Sequence, residues 1–237
     1  MSQENSGPDF SDTSLIEAAG LTYRVRRPEA INQPTVPTIV MIHGYGANDG
    51  DVYELVPYYD RRLLIAAPRG PGLYSADPRG SFKWYDMDLQ TCQAEPGAPD
   101  QNLPLLLQSL EALPSSVNLE IDPSQFYIGG FSQGAVMSLV AVSARPELFT
   151  GVICHSCPYS EELAQRLRGA ADKLRGKPFF LAHGMNDFLP IAEHGRKLAE
   201  VLREIGADLT YKEYEFGHET SEQSRRDMAA WLNPRLK

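Results

Sequence analysis

Long apolar runs, basic clusters and a paired set of cysteines are all missing from this chain. No stretch of about 18 apolar residues interrupts it, so a membrane-spanning helix is not expected. The first twenty positions lack a basic segment followed by an apolar one, and neither terminus carries a lipidation signal. A soluble, unexported, cytoplasmic protein without stable membrane insertion is therefore expected. The three cysteines, Cys92, Cys154 and Cys157, are few and odd in number, which suits a reducing compartment better than a disulfide framework. Cys154 and Cys157 stand at C-x-x-C spacing, but a zinc site needs a second pair and only Cys92 remains. Core packing at a strand end is the expected role, and no metal site is expected. Positive charge is also short: 22 Lys and Arg face 31 Asp and Glu, a formal charge of −9. That balance disfavours nucleic acid and anionic membrane surfaces as partners, since both reward a positive face. There is no internal repeat and no low-complexity block.

What remains is an ordinary globular composition. At 237 residues with 42% apolar content, the chain can bury a substantial core, and this length is routine for one α/β domain. Residues 1–12 are polar and hold Gly7 and Pro8, a composition that cannot offset the entropy of ordering. A disordered tail is expected there and a single domain over 13–237. Leu15 to Arg26, interrupted at Ala19-Gly20, predicts an opening β-hairpin, and Thr38 to Ile42 is a β-rich run of the kind buried on both faces of a sheet. Further strands are expected at 63–67, 126–130, 151–154, 179–182 and 209–216. Between them, Leu103, Leu106, Leu107, Leu110 and Val117 share one helix face, as do Ile191, Leu198, Val201, Leu202 and Ile205, with Gly206 as a stop. Thr220 and Gln223 form a capping-box pattern ahead of a last helix. The alternation predicts an α/β fold with a mostly parallel central sheet and helices on both faces. Residues 68–100, rich in Gly, Pro and aromatics, show no clear period.

The chain is organised around Gly129-Gly130-Phe131-Ser132-Gln133-Gly134-Ala135, which joins the apolar segment Phe126-Tyr127-Ile128 to the helical pattern Val136 to Val140. Gly130 to Gly134 fit G-x-S-x-G, in which a sharp strand-to-helix turn is expected to demand glycine on either side of the serine. The turn would lift the Ser132 hydroxyl above the sheet, with the amides of the helix N-terminus facing the place where an oxyanion forms.

In a parallel sheet, ligands sit beyond the carboxyl ends of the strands. Reactive residues follow four predicted strands: His43-Gly44-Tyr45-Gly46, Ser132, His183-Gly184-Met185-Asn186-Asp187, and Gly217-His218-Glu219. Serine is a poor nucleophile near neutral pH and needs a base, which in turn needs an acid to hold its tautomer. The order Ser132, Asp187, His218 is that of an α/β-hydrolase triad. Each alone has an ordinary structural reading, as a turn aspartate or a histidine ahead of a helix. Two amide donors would complete the site, one from Gln133 and the other from Tyr45. His43 precedes the serine and reads as a structural hydrogen-bonding residue rather than a base.

Taken together, His43-Gly44-Tyr45-Gly46, Ala67-Pro68-Arg69-Gly70-Pro71, Trp84-Tyr85-Asp86, Gly129 to Gly134, His183-Gly184 followed by Asp187, and Gly217-His218-Glu219 resemble the carboxylesterase/phospholipase branch of the α/β-hydrolases, which includes acyl-protein thioesterases. The resemblance spans about residues 36–232. It implies an α/β-hydrolase fold, Ser132, Asp187 and His218 as triad, Tyr45 and Gln133 as amide donors, and hydrolysis of carboxylic or thio esters without a cofactor. Two departures bear on substrate range: Ser156-Cys157 stands where the family usually has Ser-Gly, and the bulky Phe188 follows the acid.

Tyr74, Phe82, Trp84 and Tyr85 could line an acyl pocket or pack a long loop onto the core; Tyr74, Phe82, Trp84 and Phe188 are the candidate substrate contacts. The leading expectation is a serine esterase or thioesterase for small-molecule, soluble short-to-medium acyl esters, acting through an acyl-enzyme on Ser132. A ligand-sensing receptor that keeps a hydrolase site is the alternative. Only one crossover helix, about residues 160–174, is expected between the strands near 155 and 178, which leaves no large lid domain.

Overall fold

The run Thr38 to Ile42, read as a doubly buried strand, belongs to a strand over Val36–Ile42 that lies at the centre of an eight-stranded sheet with every residue buried. The computed structural model describes residues 12–29, 34–75, 80–187 and 190–237. The strands in chain order are β1 (Thr13–Ala18), β2 (Leu21–Arg26), β3 (Val36–Ile42), β4 (Leu64–Pro68), β5 (Gly72–Ser75), β6 (Ser81–Lys83), β7 (Ile121–Phe131), β8 (Gly151–His155), β9 (Pro178–Gly184) and β10 (Asp208–Tyr214). β5 and β6 form a separate antiparallel pair inside the aperiodic 68–100 segment; the others are ordered β1-β2-β4-β3-β7-β8-β9-β10. From β4 to β10 all neighbours are parallel, and β1 and β2 add an antiparallel edge. This is the architecture of an α/β-hydrolase. The expected tail lies outside the described residues, except for Asp12.

The β1–β2 turn runs through Ala19 and Gly20 at φ 44° and 88°, and two left-handed residues give the twist that matches paired strands. The helices are α1 (Leu103–Val117), α2 (Gln133–Ala144), α3 (Glu161–Gly169), α4 (Ala171–Leu174), α5 (Ile191–Glu204) and α6 (Glu222–Leu232). Period-2 alternation along the strands divides their side chains between two cores. Val40, Ile42, Ile128, Val152, Cys154 and Leu181 face one side with buried residues of α1, α2, α3 and α5. Ile39, Met41, Tyr127, Ile153, Phe180 and Ala182 face the other with Val52, Val56 and α6. α2 is buried from Gln133 through Val142, and a helix without a wet face carries no amphipathic stripe. A buried bond of 2.6 Å between the hydroxyls of Tyr23 and Ser109 ties α1 to β2.

Three local expectations shift. The capping box of α6 lies one residue later than Thr220–Gln223: Ser221 and Ser224 exchange backbone and hydroxyl bonds at 3.0 Å, while Thr220 accepts from Arg225. The crossover expected as one helix is broken at Ala170 into α3 and α4. On α1, Leu113 joins Leu106, Leu110 and Val117 as a buried residue, while Leu103 and Leu107 pack half-buried against the same core. Among the described residues no helix is long and apolar enough to cross a membrane.

Candidate active site

Ser132 sits between the end of β7 and the start of α2 with φ 53° and ψ −118°, a conformation that costs an L-residue about 1–3 kcal/mol. Its N–H donates to the His155 carbonyl at 2.9 Å, so the strained residue is bonded to β8. The flanking glycines serve a different purpose from the one expected. Neither Gly130 nor Gly134 has a positive φ; the left-handed residue is the serine itself. A Cβ on Gly134 would lie 2.0 Å from the Ile42 carbonyl oxygen, and one on Gly130 would lie 2.5 Å from the backbone of Gly134. The glycines are required by the close approach of the turn to the end of β3, not by their own torsions.

The loops that follow β9 and β10 are joined backbone to backbone. Met185 N–H donates to the Tyr214 carbonyl at 2.7 Å, and Asn186 N–H to that of Phe216 at 3.0 Å. Gly184 permits this, because a Cβ there would meet the Phe216 and Gly217 carbonyl oxygens at 2.2 and 2.3 Å. The junction brings Asp187 Oδ2 to 2.7 Å from His218 Nδ1. The Asp187 side chain is fully shielded from solvent, whereas that of His218 is 16% exposed. The ring of Phe131, immediately before Ser132, lies 4.9 Å from the His218 ring. A carboxylate and a histidine in this relation can hold one imidazole tautomer and support its protonated form.

Gln133 is the first residue of α2, so no carbonyl within the helix can accept its N–H. Its side chain is fully buried and bonds the 84–85 segment twice: Oε1 accepts from Trp84 N–H at 2.8 Å and Nε2 donates to the Tyr85 carbonyl at 2.9 Å. Tyr45 lies in the loop after β3. Gly46, at φ 73°, donates its N–H to the Phe82 carbonyl at 2.8 Å, and the rings of Tyr45 and Tyr74 pack edge to face at 4.9 Å. A Cβ at Gly44 would lie 3.5 Å from that of Ser132, so the loop runs directly beside the serine. His43 is buried, with Nδ1 2.7 Å from the Gly44 carbonyl oxygen and Nε2 accepting from Gly70 N–H at 2.8 Å. Burial lowers it to about 4, so it is neutral and engaged at both nitrogens.

The sequence model described as phospholipase/carboxylesterase matches residues 26–235. The chain belongs to the phospholipase/carboxylesterase family. Membership makes it an ester hydrolase. It is similar to acyl-protein thioesterase 1 of Emericella nidulans, 28% identical over 217 residues that cover 83% of this chain and 89% of the relative. It is similar too to acyl-protein thioesterase 1 of Saccharomyces cerevisiae, 26% identical over 86% of this chain and 95% of the relative. Among solved structures, a carboxylesterase from Mesorhizobium loti superposes with a TM-score of 0.75 at 15% identity, covering 93% and 98% of the two chains. Zea mays acyl-protein thioesterase 2 gives 0.69 at 21% identity, covering 91% and 99%.

Against this family background, the candidate substrate aromatics fall in unlike environments. Trp84 is 1% exposed and packs in the core beside His43, at 5.8 Å between rings, while Tyr85 is held in the interior by Gln133. Phe82 lies under the Arg69 guanidinium at 4.9 Å. Tyr74 is 46% exposed and reaches solvent. Phe188 lies outside the described residues. At the family's usual Ser-Gly position, Ser156 has φ 51° and is buried, and Cys157 after it is buried as well. Burial raises the thiols of both Cys154 and Cys157, which fits packing rather than redox or metal work.

Two residues near the site had no sequence signal. Asp49, 1% exposed, accepts from Arg24 Nε at 3.0 Å and Arg69 Nε at 2.8 Å, and so joins β2 to the loop that carries Gly70. His155 is buried between the rings of Phe131 and Phe216, at 5.6 and 5.8 Å, directly behind the serine turn. Only the three-dimensional neighbours mark either one.

Proposed function

We propose that this chain hydrolyses soluble esters and thioesters of short-to-medium acyl chains through an acyl-enzyme on Ser132. The observation that carries the reading is the 2.7 Å contact of His218 Nδ1 with a solvent-shielded Asp187, beside a serine held in a left-handed conformation at a helix start. In this reading His218 takes the Ser132 proton as the hydroxyl attacks the acyl carbon, and Asp187 holds the imidazole in the productive tautomer. The amides of Gln133 and Tyr45 receive the oxyanion. Collapse of the tetrahedral intermediate breaks the C–O or C–S bond, and the leaving atom takes the proton from His218. Water then repeats the sequence on the acyl-enzyme.

No cofactor enters this scheme. A cytoplasmic site of action accords with three free, buried cysteines. The test is turnover of p-nitrophenyl esters and acyl thioesters of graded chain length. The reading requires steady turnover that falls off at long chains, with covalent capture of Ser132 by a fluorophosphonate. Absence of both labelling and turnover would overturn it and favour a receptor.

A further inference from the structure

A cavity of about 450 Å³ opens beside His218, bounded on the Ser132 side by Gly44, Phe131 and His218 itself. Val52 and Leu55 supply an apolar floor. The charged groups that line it are Asp51, Glu54, Glu219 and Arg225, three carboxylates against one guanidinium. Asp51 accepts from Asn48 N–H at 2.9 Å. Glu54 and Glu219 are exposed and make no ion pair among the described residues. Arg225 spends one nitrogen on Thr220 at 3.1 Å, and its Nε is buried with no partner among the described residues.

We propose that this cavity receives the leaving-group half of the substrate and selects alcohols and thiols that carry a positive charge. The inference rests on the assignment of His218 as the base of Ser132. Microscopic chemistry then fixes the side: the group that protonates the departing oxygen or sulfur must stand within hydrogen-bond reach of it, about 2.6–3.2 Å. The remainder of the leaving group therefore extends into the space that His218 bounds. The sign follows from the wall. Two carboxylates without ion-pair partners among the described residues and a third beside them outweigh the single guanidinium, and low-dielectric walls concentrate their field on the cavity. The apolar floor accommodates the methylene or methyl groups that surround an organic cation.

The experiment compares two thioesters of the same shape, acetylthiocholine and its uncharged carbon isostere 3,3-dimethylbutyl thioacetate, by thiol release. The expected result is a kcat/KM ratio of about tenfold in favour of the cation at low ionic strength, shrinking toward about twofold at 0.5 M NaCl as charge is screened. Glu54→Gln, alone and combined with Glu219→Gln, is expected to lower that ratio stepwise toward one. Asp172→Asn, on α4 ahead of the amino end of β9 and outside the residues that line the cavity, controls for net charge and is expected to leave the ratio intact. Equal turnover of the two thioesters, or a ratio indifferent to both Glu substitutions, overturns the charge selection while leaving the esterase reading in place. If neither thioester nor any p-nitrophenyl ester is cleaved, the esterase reading itself has failed, and this inference falls with it.

Discussion

Gly70 donates its backbone N–H to Nε2 of His43 at 2.8 Å, and that single bond assigns the proton of a buried imidazole. With Nε2 accepting, the proton of neutral His43 is on Nδ1, which donates to the Gly44 carbonyl at 2.7 Å. The Gly44 carbonyl and the Tyr45 N–H belong to one planar trans peptide and point in opposite directions. Fixing the carbonyl against His43 thus fixes the direction of the Tyr45 amide. If that amide receives the oxyanion, His43→Phe is expected to lower kcat about 10- to 100-fold with KM little changed, since the donor acts on charge that develops only in the transition state. Steady-state kinetics with a p-nitrophenyl ester checks this; an effect confined to KM would contradict it.

Ser132→Ala is expected to reduce turnover by about 10⁴ to 10⁶ without loss of fold, and Asp187→Asn to lower kcat strongly while substrate still binds. A Ser132→Ala variant that retains a tenth of the activity removes the serine from the mechanism. A silent Asp187→Asn would transfer the orienting role to another acid, such as Glu215 or Glu219.

Gly134→Ala is expected to destabilise the fold by about 3 kcal/mol, because the new methyl would stand at 2.0 Å from the carbonyl of Ile42, which its pairing with Gly130 of β7 holds in place, and α2, buried along most of its length, would have to shift instead. Gly169→Ala, at the exposed end of α3 where a Cβ meets nothing within 4 Å, serves as the contrast and is expected to change stability by no more than about 0.5 kcal/mol. Urea unfolding midpoints of the two variants separate steric demand from a general intolerance of substitution.

Acid is expected to weaken the fold through its buried histidines. Burial lowers His43 to about 4 and His155 to about 3 from an ordinary 6.5, and lowers His183 and His194 as well. Between about pH 4 and 6.5 the unfolded chain therefore binds more protons than the folded one, so stability falls as pH falls through that window. At pH 5, unfolding is expected to take up at least about two protons per chain, one each for His43 and His155. Denaturation midpoints across pH and proton uptake in unbuffered solution measure this; midpoints independent of pH between 4.5 and 7 would contradict it.

Only α3 and α4 occupy the interval between β8 and β9, and both are needed for the crossover. With no additional covering helix there, saturation kinetics are expected to be ordinary, with no jump in rate at the concentration where substrate forms micelles. A sharp rise at that point would assign a mobile cover to the segment around β5 and β6.

The parts of this protein legible in its sequence are those whose physics is local. The β3 run, the Ala19-Gly20 hairpin, the strand–Ser132–helix turn and the stop at Gly206, which has φ 75°, each depend on torsions and periodicities of adjacent residues. Motif order likewise put Ser132, Asp187 and His218 at the ends of separate strands. Tertiary structure alone decided the rest. The glycines around Ser132 are required by a carbonyl of β3, a strand far back in the chain, which no torsional argument could supply. Asp49 reads as a surface turn residue until Arg24 and Arg69 close on it, and His155 as a strand end until Phe131 and Phe216 enclose it. Trp84 and Tyr74 belong to the same aromatic segment, yet one is in the core and the other in solvent, because the bonds from Gln133 draw residues 84 and 85 inward while the β5–β6 pair extends outward. Burial is a property of the neighbours a residue acquires on folding, so composition could nominate these aromatics without assigning their environments.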